Sequence, residues 1–253
     1  MTKGKEKGDT AMTGKRRRPL HESVRDVMER QFADLAYFSP IPGERELCQQ
    51  LGVSRPTIRR ALDLLAAENK IVRMQGRGSF YTGEKIPVDY SEATMRGFGL
   101  AQMFSAEGRV TRSTVLQQVV ETAHGNLAAM LGIAEETLVF HLKRLRYVDE
   151  KIYALTDDYV PLSLCPELMH LNFAEHGLLR TLEEHDVHPY AEDKTIEVIR
   201  ATPETALYLE VPEEAPIFVT RILTTDREGR VIQYATSRAD AFRSRFRVRS
   251  TRK

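Results

Sequence analysis

The tightest constraint in this sequence is the short run Gly-Val-Ser-Arg-Pro at 52 to 56. Gly52 suits the left-handed residue that ends a helix, and Ser54 is of the type that caps the start of one. Pro56 fits only a first helical turn, where its missing N–H has no partner to lose. One helix therefore ends at Gly52 and another begins at Ser54, so the two are joined by a very short turn. The first starts near Glu44, whose charge with that of Glu46 complements a helix N-terminus. In the second, Ile58, Ala61, Leu62, Leu65 and Ala66 form one apolar stripe at i, i+3, i+4, i+7 and i+8. Arg55, Arg59 and Asp63 must then project from a different face, and the Ser54 hydroxyl is expected to accept from the Thr57 N–H.

An earlier helix opens at Pro19 and carries Leu20, Val24, Val27, Met28 and Leu35 on its apolar spacing until the run FSPIPG breaks it. After Asn69 the run IVRMQGRGSFYT places two β-prone stretches around Gly76-Arg77-Gly78, the pattern of a hairpin. Helix, helix, helix, hairpin is the order of a winged helix-turn-helix, here assigned to 19–82. In that fold the second helix of the turn enters the major groove, where arginine pairs with guanine O6 and N7. Arg55, Thr57 and Arg59 are placed for this. Arg45 would reach the same groove or its backbone, and Arg77 would enter the adjacent minor groove. The alternative is a solvated basic face with pairs such as Arg59 to Asp63.

Charge supports the nucleic-acid reading. Residues 1–82 hold 16 Lys and Arg against 10 Asp and Glu, whereas the remainder holds 21 against 26, although the whole chain sums to only +1. This asymmetry suggests a nucleic-acid-binding module joined to one that does not bind nucleic acid; the alternative on charge alone is that KRRR is only a solubilising tail. Residues 1–18, with the run KRRR, read as a disordered basic arm. Residues 83–97 lack periodicity and read as a linker.

From 98 to 248 the pattern is that of an α+β domain. Leu138, Phe140 and Leu142 share one face of a strand that turns at YVDEK and returns as IYALTDDYV. A similar strand, helix and hairpin unit recurs 78 residues on: Leu131 matches Leu209, and LVFHLKR matches PIFVTRI. A duplicated unit predicts about six mostly antiparallel strands with helices on one side. Arg144 and Arg146 continue the apolar face of the first hairpin. A buried arginine must be paired, so the site contains acidic partners or receives an anion. Asp158 and Thr156, on the returning strand, are the partners in reach; the alternative is a strand end that emerges into solvent.

Enzyme motifs are missing: there is no G-x-S-x-G, P-loop, complete dinucleotide fingerprint or H-E-x-x-H. Cys48 and Cys165 lie far apart without ligand spacing, and His185 and His188 in EEHDVH read as a helix end, so no metal or cofactor is expected. With no long apolar run and no apolar leader, a cytoplasmic protein without membrane contact is expected.

The stretches PGEREL, LGVSRPTIRRALDLL and GRGSF together resemble the DNA-binding domain of GntR-type bacterial transcription regulators. HLKRLRYVDEKIYALTDDYVP and APIFVTRILTTDREGRVIQYATSRAD resemble the UTRA effector domain of the HutC branch. The resemblance covers about residues 19–248. It implies a homodimeric regulator, a repressor by expectation, on a near-palindromic double-stranded operator at the nucleoid. Arg45, Ser54, Arg55, Thr57 and Arg59 would lie at the DNA, with Gly76, Arg77 and Gly78 as the wing. It also implies a small polar effector, anionic by expectation, held by Arg144, Arg146, Thr156, Asp158 and Gln233. Where sugar-phosphate-responsive relatives offer hydroxyls, this chain has Gly99, Ala101 and Gly177, which leaves a carboxylate or an unphosphorylated metabolite open. The UTRA fold is similar to chorismate lyase, so lyase-like chemistry is the enzyme alternative, though a shared fold does not carry activity.

Overall fold

The computed structural model describes residues 18–83, 85–89, 99–105 and 108–248. The expected basic arm, except Arg18, and most of the expected linker lie outside these. The chain divides after Tyr81 into two units.

In the first unit, helix α1 spans Leu20–Phe32, α2 Glu44–Leu51 and α3 Arg55–Ala67, followed by strands β1, Ile71–Met74, and β2, Gly78–Tyr81. Gly52 caps α2 at φ 63°, in the left-handed region that favours glycine, and Ser54 is extended before α3. The short inter-helix turn is thus as the sequence dictates. Ser54 departs from expectation in one respect: its Oγ meets Thr57 Oγ1 at 2.9 Å, and no side chain caps the first turn of α3. Val24, Met28 and Phe32 of α1 pack with Leu47, Ile58, Ala61, Leu62, Leu65 and Ile71 in one core. The inward stripe of α1 therefore runs i, i+4, i+8. Leu20 and Val27 face outward, contrary to the sequence reading, and Leu35 packs from beyond the helix end. Strands β1 and β2 pair antiparallel around the turn at Gly76, where φ is 74°.

The second unit holds β3 (Ile86–Asp89), α4 (Leu100–Ser105), β4 (Thr111–Thr122), α5 (Asn126–Leu131), β5 (Leu138–Val148) and β6 (Lys151–Pro161). After two 3-10 turns over 162–170 come α6 (Leu178–Glu184), β7 (Ala191–Arg200), α7 (Pro203–Leu209), β8 (Pro216–Thr225), β9 (Val231–Asp240) and β10 (Ser244–Arg247). Six strands form one sheet in the order β4-β5-β6-β9-β8-β7, with every neighbouring pair antiparallel. The order is a palindrome of the repeat: β4-α5-β5-β6 and β7-α7-β8-β9 are the same unit, joined through β6 and β9. Local bonding repeats with the sequence offset. The Ala123 N–H donates to the Thr137 carbonyl and the Ala201 N–H to the Ala215 carbonyl, both at 2.8 Å.

Helices cover both faces of this sheet, not one as the sequence suggested. Leu178, Leu179 and Leu182 of α6 pack on Phe140 and Leu142, while Ala128 and Leu131 of α5 pack with Val139 and Tyr234 on the other side. The cause is visible along β5, which is buried almost continuously and so needs a covering on each face. Leu138, at the strand start, is half exposed and does not share the inward role of Phe140. Part of the segment expected as linker is built into this unit. Strand β3 runs parallel to β10, and Ile86 and Val88 are buried with Phe104 and Tyr153.

At the end of β9, burial pushes the Asp240 carboxyl up to about 6, against the opposing hydrogen bond from the Phe242 N–H at 2.8 Å. Its folded pKa lies above the unfolded value of 3.8. The ionised form is thus penalised only in the fold, and this group's contribution falls as pH rises from about 4 to 6. Asp240→Asn keeps the acceptor for Phe242 and removes the titration. Urea unfolding across that window should show the stability difference between variant and wild type growing with pH, by up to about 3 kcal/mol.

Candidate nucleic-acid interface and ligand cavity

On α3 the apolar stripe is turned into the core, which leaves Arg55 and Arg59 on the outer face with side chains 69% and 59% exposed. Both are held by one carboxylate. Glu44, at the first position of α2, accepts from Arg55 Nε at 2.9 Å and from Arg59 Nε and a terminal nitrogen at 3.2 and 3.1 Å. These bonds, that of Arg59 foremost, hold the Glu44 carboxyl below the usual range. The Arg59 to Asp63 pair considered from sequence does not form: Asp63 is taken by Arg73 at 2.7 Å. Arg45 is exposed beside them, Ser54 and Thr57 lie at the start of α3, and Gly76, Arg77 and Gly78 are exposed at the hairpin tip. The residues expected at DNA thus lie on α3, the start of α2 and the hairpin tip, free of the core. Glu44, which orients two of them, was read from sequence only as a helix-start charge; its pairing with α3 depends on how the helices cross.

In the second unit a cavity of about 380 Å³ opens on the sheet face beneath α6. Arg144, Arg146, Thr156, Asp158 and Gln233, all expected from sequence, line it, together with Gly99 and Gly177. Alternation along β5 turns both arginines to the face of Phe140 and Leu142. They do not emerge into solvent: Arg144 is 4% and Arg146 7% exposed. Arg144 donates to Asp158 Oδ2 at 3.0 Å, the other oxygen of Asp158 accepts from Gln233 Nε2 at 2.7 Å, and Thr224 donates to Gln233 Oε1 at 2.9 Å. This chain crosses β5, β6, β9 and β8. Thr156, by contrast, spends its hydroxyl on the Arg144 carbonyl at 3.5 Å. On β7, Lys194 pairs with Glu192 at 2.5 Å.

Arg146 is left over. It has no ion-pair partner among the described residues, and its Nε, like that of Arg144, is buried without a hydrogen bond. Burial, and then the positive charge of Arg144, pull its pKa down to about 9, so it is still a cation at neutral pH. A desolvated cation with an unused donor beside an open cavity has the chemistry to receive an anion.

The two arginines should respond oppositely to removal. Arg144→Ala strands the Asp158 carboxylate and should cost about 3 kcal/mol or more of stability, whereas Arg146→Met removes an unpaired buried charge and should leave the ligand-free protein equally or more stable. Urea unfolding of the two variants checks this. A loss for Arg146→Met as large as that for Arg144→Ala would assign Arg146 a structural partner.

Residues 33–80 match the bacterial regulatory proteins of the gntR family, and residues 106–244 match the UTRA domain. The chain is 28% identical over 216 residues to the "Probable fructoselysine utilization operon transcriptional repressor" of Escherichia coli K12, covering 84% of this chain and 87% of that one. It is 25% identical to the HTH-type transcriptional repressor NagR of Bacillus subtilis, over 87% and 89%. The fold is similar to that of PhnF from Mycobacterium smegmatis, with a TM-score of 0.62 at 23% identity over 91% of this chain and 100% of that one. With its winged helix-turn-helix, its UTRA domain and these relatives, the chain belongs to the GntR family of bacterial DNA-binding transcription regulators.

Proposed function

We propose that this protein is a repressor that binds a near-palindromic operator as a homodimer and is modulated by a small anionic metabolite in the UTRA cavity. The observation that carries the DNA half is the pair of exposed guanidinium groups, Arg55 and Arg59, at the start of α3. Arg59 reads a base edge, Arg55, Thr57 and Arg45 complete the major-groove contact, and the wing at Gly76 to Gly78 reaches the flanking groove. One recognition helix reads few base pairs, so two copies are required for specificity. The curated relatives are themselves named as repressors. Among the described residues β7 ends the sheet with no strand on its outer side and exposes Ile196, Val198 and Ile199, an edge available for a second copy.

The effector half rests on Arg146, the buried cation without a partner. A ligand with a carboxylate or phosphate group neutralises it and uses the two orphaned Nε donors. Gln233, through the second hydrogen of its amide, and Thr156, through the lone pairs of its hydroxyl, supply neutral polar contacts. To act as a switch, the ligand must favour one arrangement of the DNA-binding domains over another, with a coupling of about 1–3 kcal/mol, or roughly 5- to 150-fold in operator affinity. A screen of small anionic metabolites for a rise in melting temperature identifies the ligand. The hit should lose its effect in Arg146→Met while that variant still binds operator.

Arg59→Ala should cost about 1–3 kcal/mol on the operator and relax preference at one base position, measured by fluorescence anisotropy on operator and random duplexes. Equal losses on both would make Arg59 a phosphate contact. Sedimentation should give a dimer, free and on DNA, with half-sites about one helical turn apart; a monomer in both states would refute the dimeric reading.

A further inference from the structure

Beneath α6 the fold brings His185 to Cys165 and Glu167, which the sequence holds together on an earlier turn. Cys165 stands at the start of the 3-10 turn Pro166–His170, Glu167 follows on the same turn, and His185 caps the C-terminus of α6. The thiol, a carboxylate oxygen and a ring nitrogen all lie within 4.8 Å of one another. Cys165 Sγ is 3.8 Å from Glu167 Oε2. His188, the neighbour that sequence spacing pairs with His185, takes no part.

We infer that Cys165, Glu167 and His185 form a binding site for one Zn²⁺ per chain, with a water as fourth ligand. Three features support it beyond proximity. First, His185 Nδ1 lies 2.9 Å from the Thr181 carbonyl. A carbonyl only accepts, so Nδ1 carries the hydrogen. The neutral ring then keeps its lone pair on Nε2, in the arrangement by which metal-ligating histidines are oriented. Second, the donor set of thiolate, imidazole and carboxylate is that of zinc, and three protein ligands leave one tetrahedral position open. Ligand atoms around such an ion sit about 3.5 Å apart. Glu167 is exposed, so a change of its rotamer can bring its carboxylate closer to the sulfur and the ring without disturbing the core or the bond that orients His185. Third, Cys165 is 1% exposed and belongs to the core cluster of Phe140, Leu168 and Leu182, which fixes the sulfur as an anchor for the two exposed ligands. On binding, the thiol proton leaves to solvent and a Zn–S bond replaces the S–H bond.

The site would staple the 165–167 turn to the C-terminal end of α6. Leu178, Leu179 and Arg180, at the other end of that helix, line the ligand cavity. The metal would therefore brace one wall of the cavity through α6.

The full chain, stripped of metal with a chelator, is titrated with Zn²⁺ in competition with a chromophoric indicator. One equivalent should bind with a dissociation constant below about 1 µM. Co²⁺ in place of Zn²⁺ should give the visible bands of a tetrahedral site and a near-ultraviolet band from the thiolate. Cys165→Ser should abolish the near-ultraviolet band. His185→Ala, at an exposed position, should weaken Zn²⁺ at least about 10-fold, and His188→Ala should not. If Cys165→Ser fails to fold, His185→Ala decides alone. Weaker uptake by the wild type, retained affinity in His185→Ala, or an equal loss in His188→Ala would each overturn the site.

Discussion

Everything in the second unit depends on the pairing of β6 with β9. The two copies of the strand, helix and hairpin unit meet only there within the sheet, from Ala154 opposite Ala239 to Tyr159 opposite Tyr234. Without that ladder each copy is a three-stranded sheet with an open edge and an uncovered face. With it, the copies make one surface wide enough to carry a cavity. The same junction carries polar cross-bracing, because Gln233 on β9 donates to Asp158 on β6 while Asp158 holds Arg144 on β5. Backbone and side-chain bonds thus cross the junction together. The cavity wall is then no softer at the junction than within either copy.

In the first unit the equivalent constraint is the turn between Gly52 and Ser54. It fixes α3 against α2, and this brings Glu44 under both Arg55 and Arg59. The arginines are on the surface, where isolated ion pairs contribute little to stability. Their importance is positional: one carboxylate limits where two long side chains point, at a small entropic cost borne before any partner arrives.

How far the sequence showed this follows from the range of each interaction. The turn at Gly52, the stripe on α3, the hairpin and the repeat are local patterns, and all were legible. Arg144 and Arg146 were legible too, because strand alternation places them on the face of Phe140 and Leu142 whatever the strand pairs with. Asp158 was reachable through the hairpin. What escaped depends on contacts between distant segments. The second helical layer is demanded by continuous burial of β5, and an alternation pattern does not show which polar residues are covered. Strand β3 finds β10 from the far end of the chain, and Cys165 meets His185 only after α6 folds back onto the 3-10 turn. The outward turn of Leu20 and Val27 is a smaller case: apolar spacing on α1 allowed two stripes, and packing against α3 selected one.

The repeat has one further consequence. Its two copies put Arg144 and Ile222 at equivalent places, 78 residues apart, and both line the cavity. The backbone frame is nearly symmetric, but its chemistry is not: where β5 presents Arg144, β8 presents Ile222, and the charges on that half are Lys194 and Glu192, paired with each other. A ligand resting across both halves would therefore meet different chemistry in its two orientations.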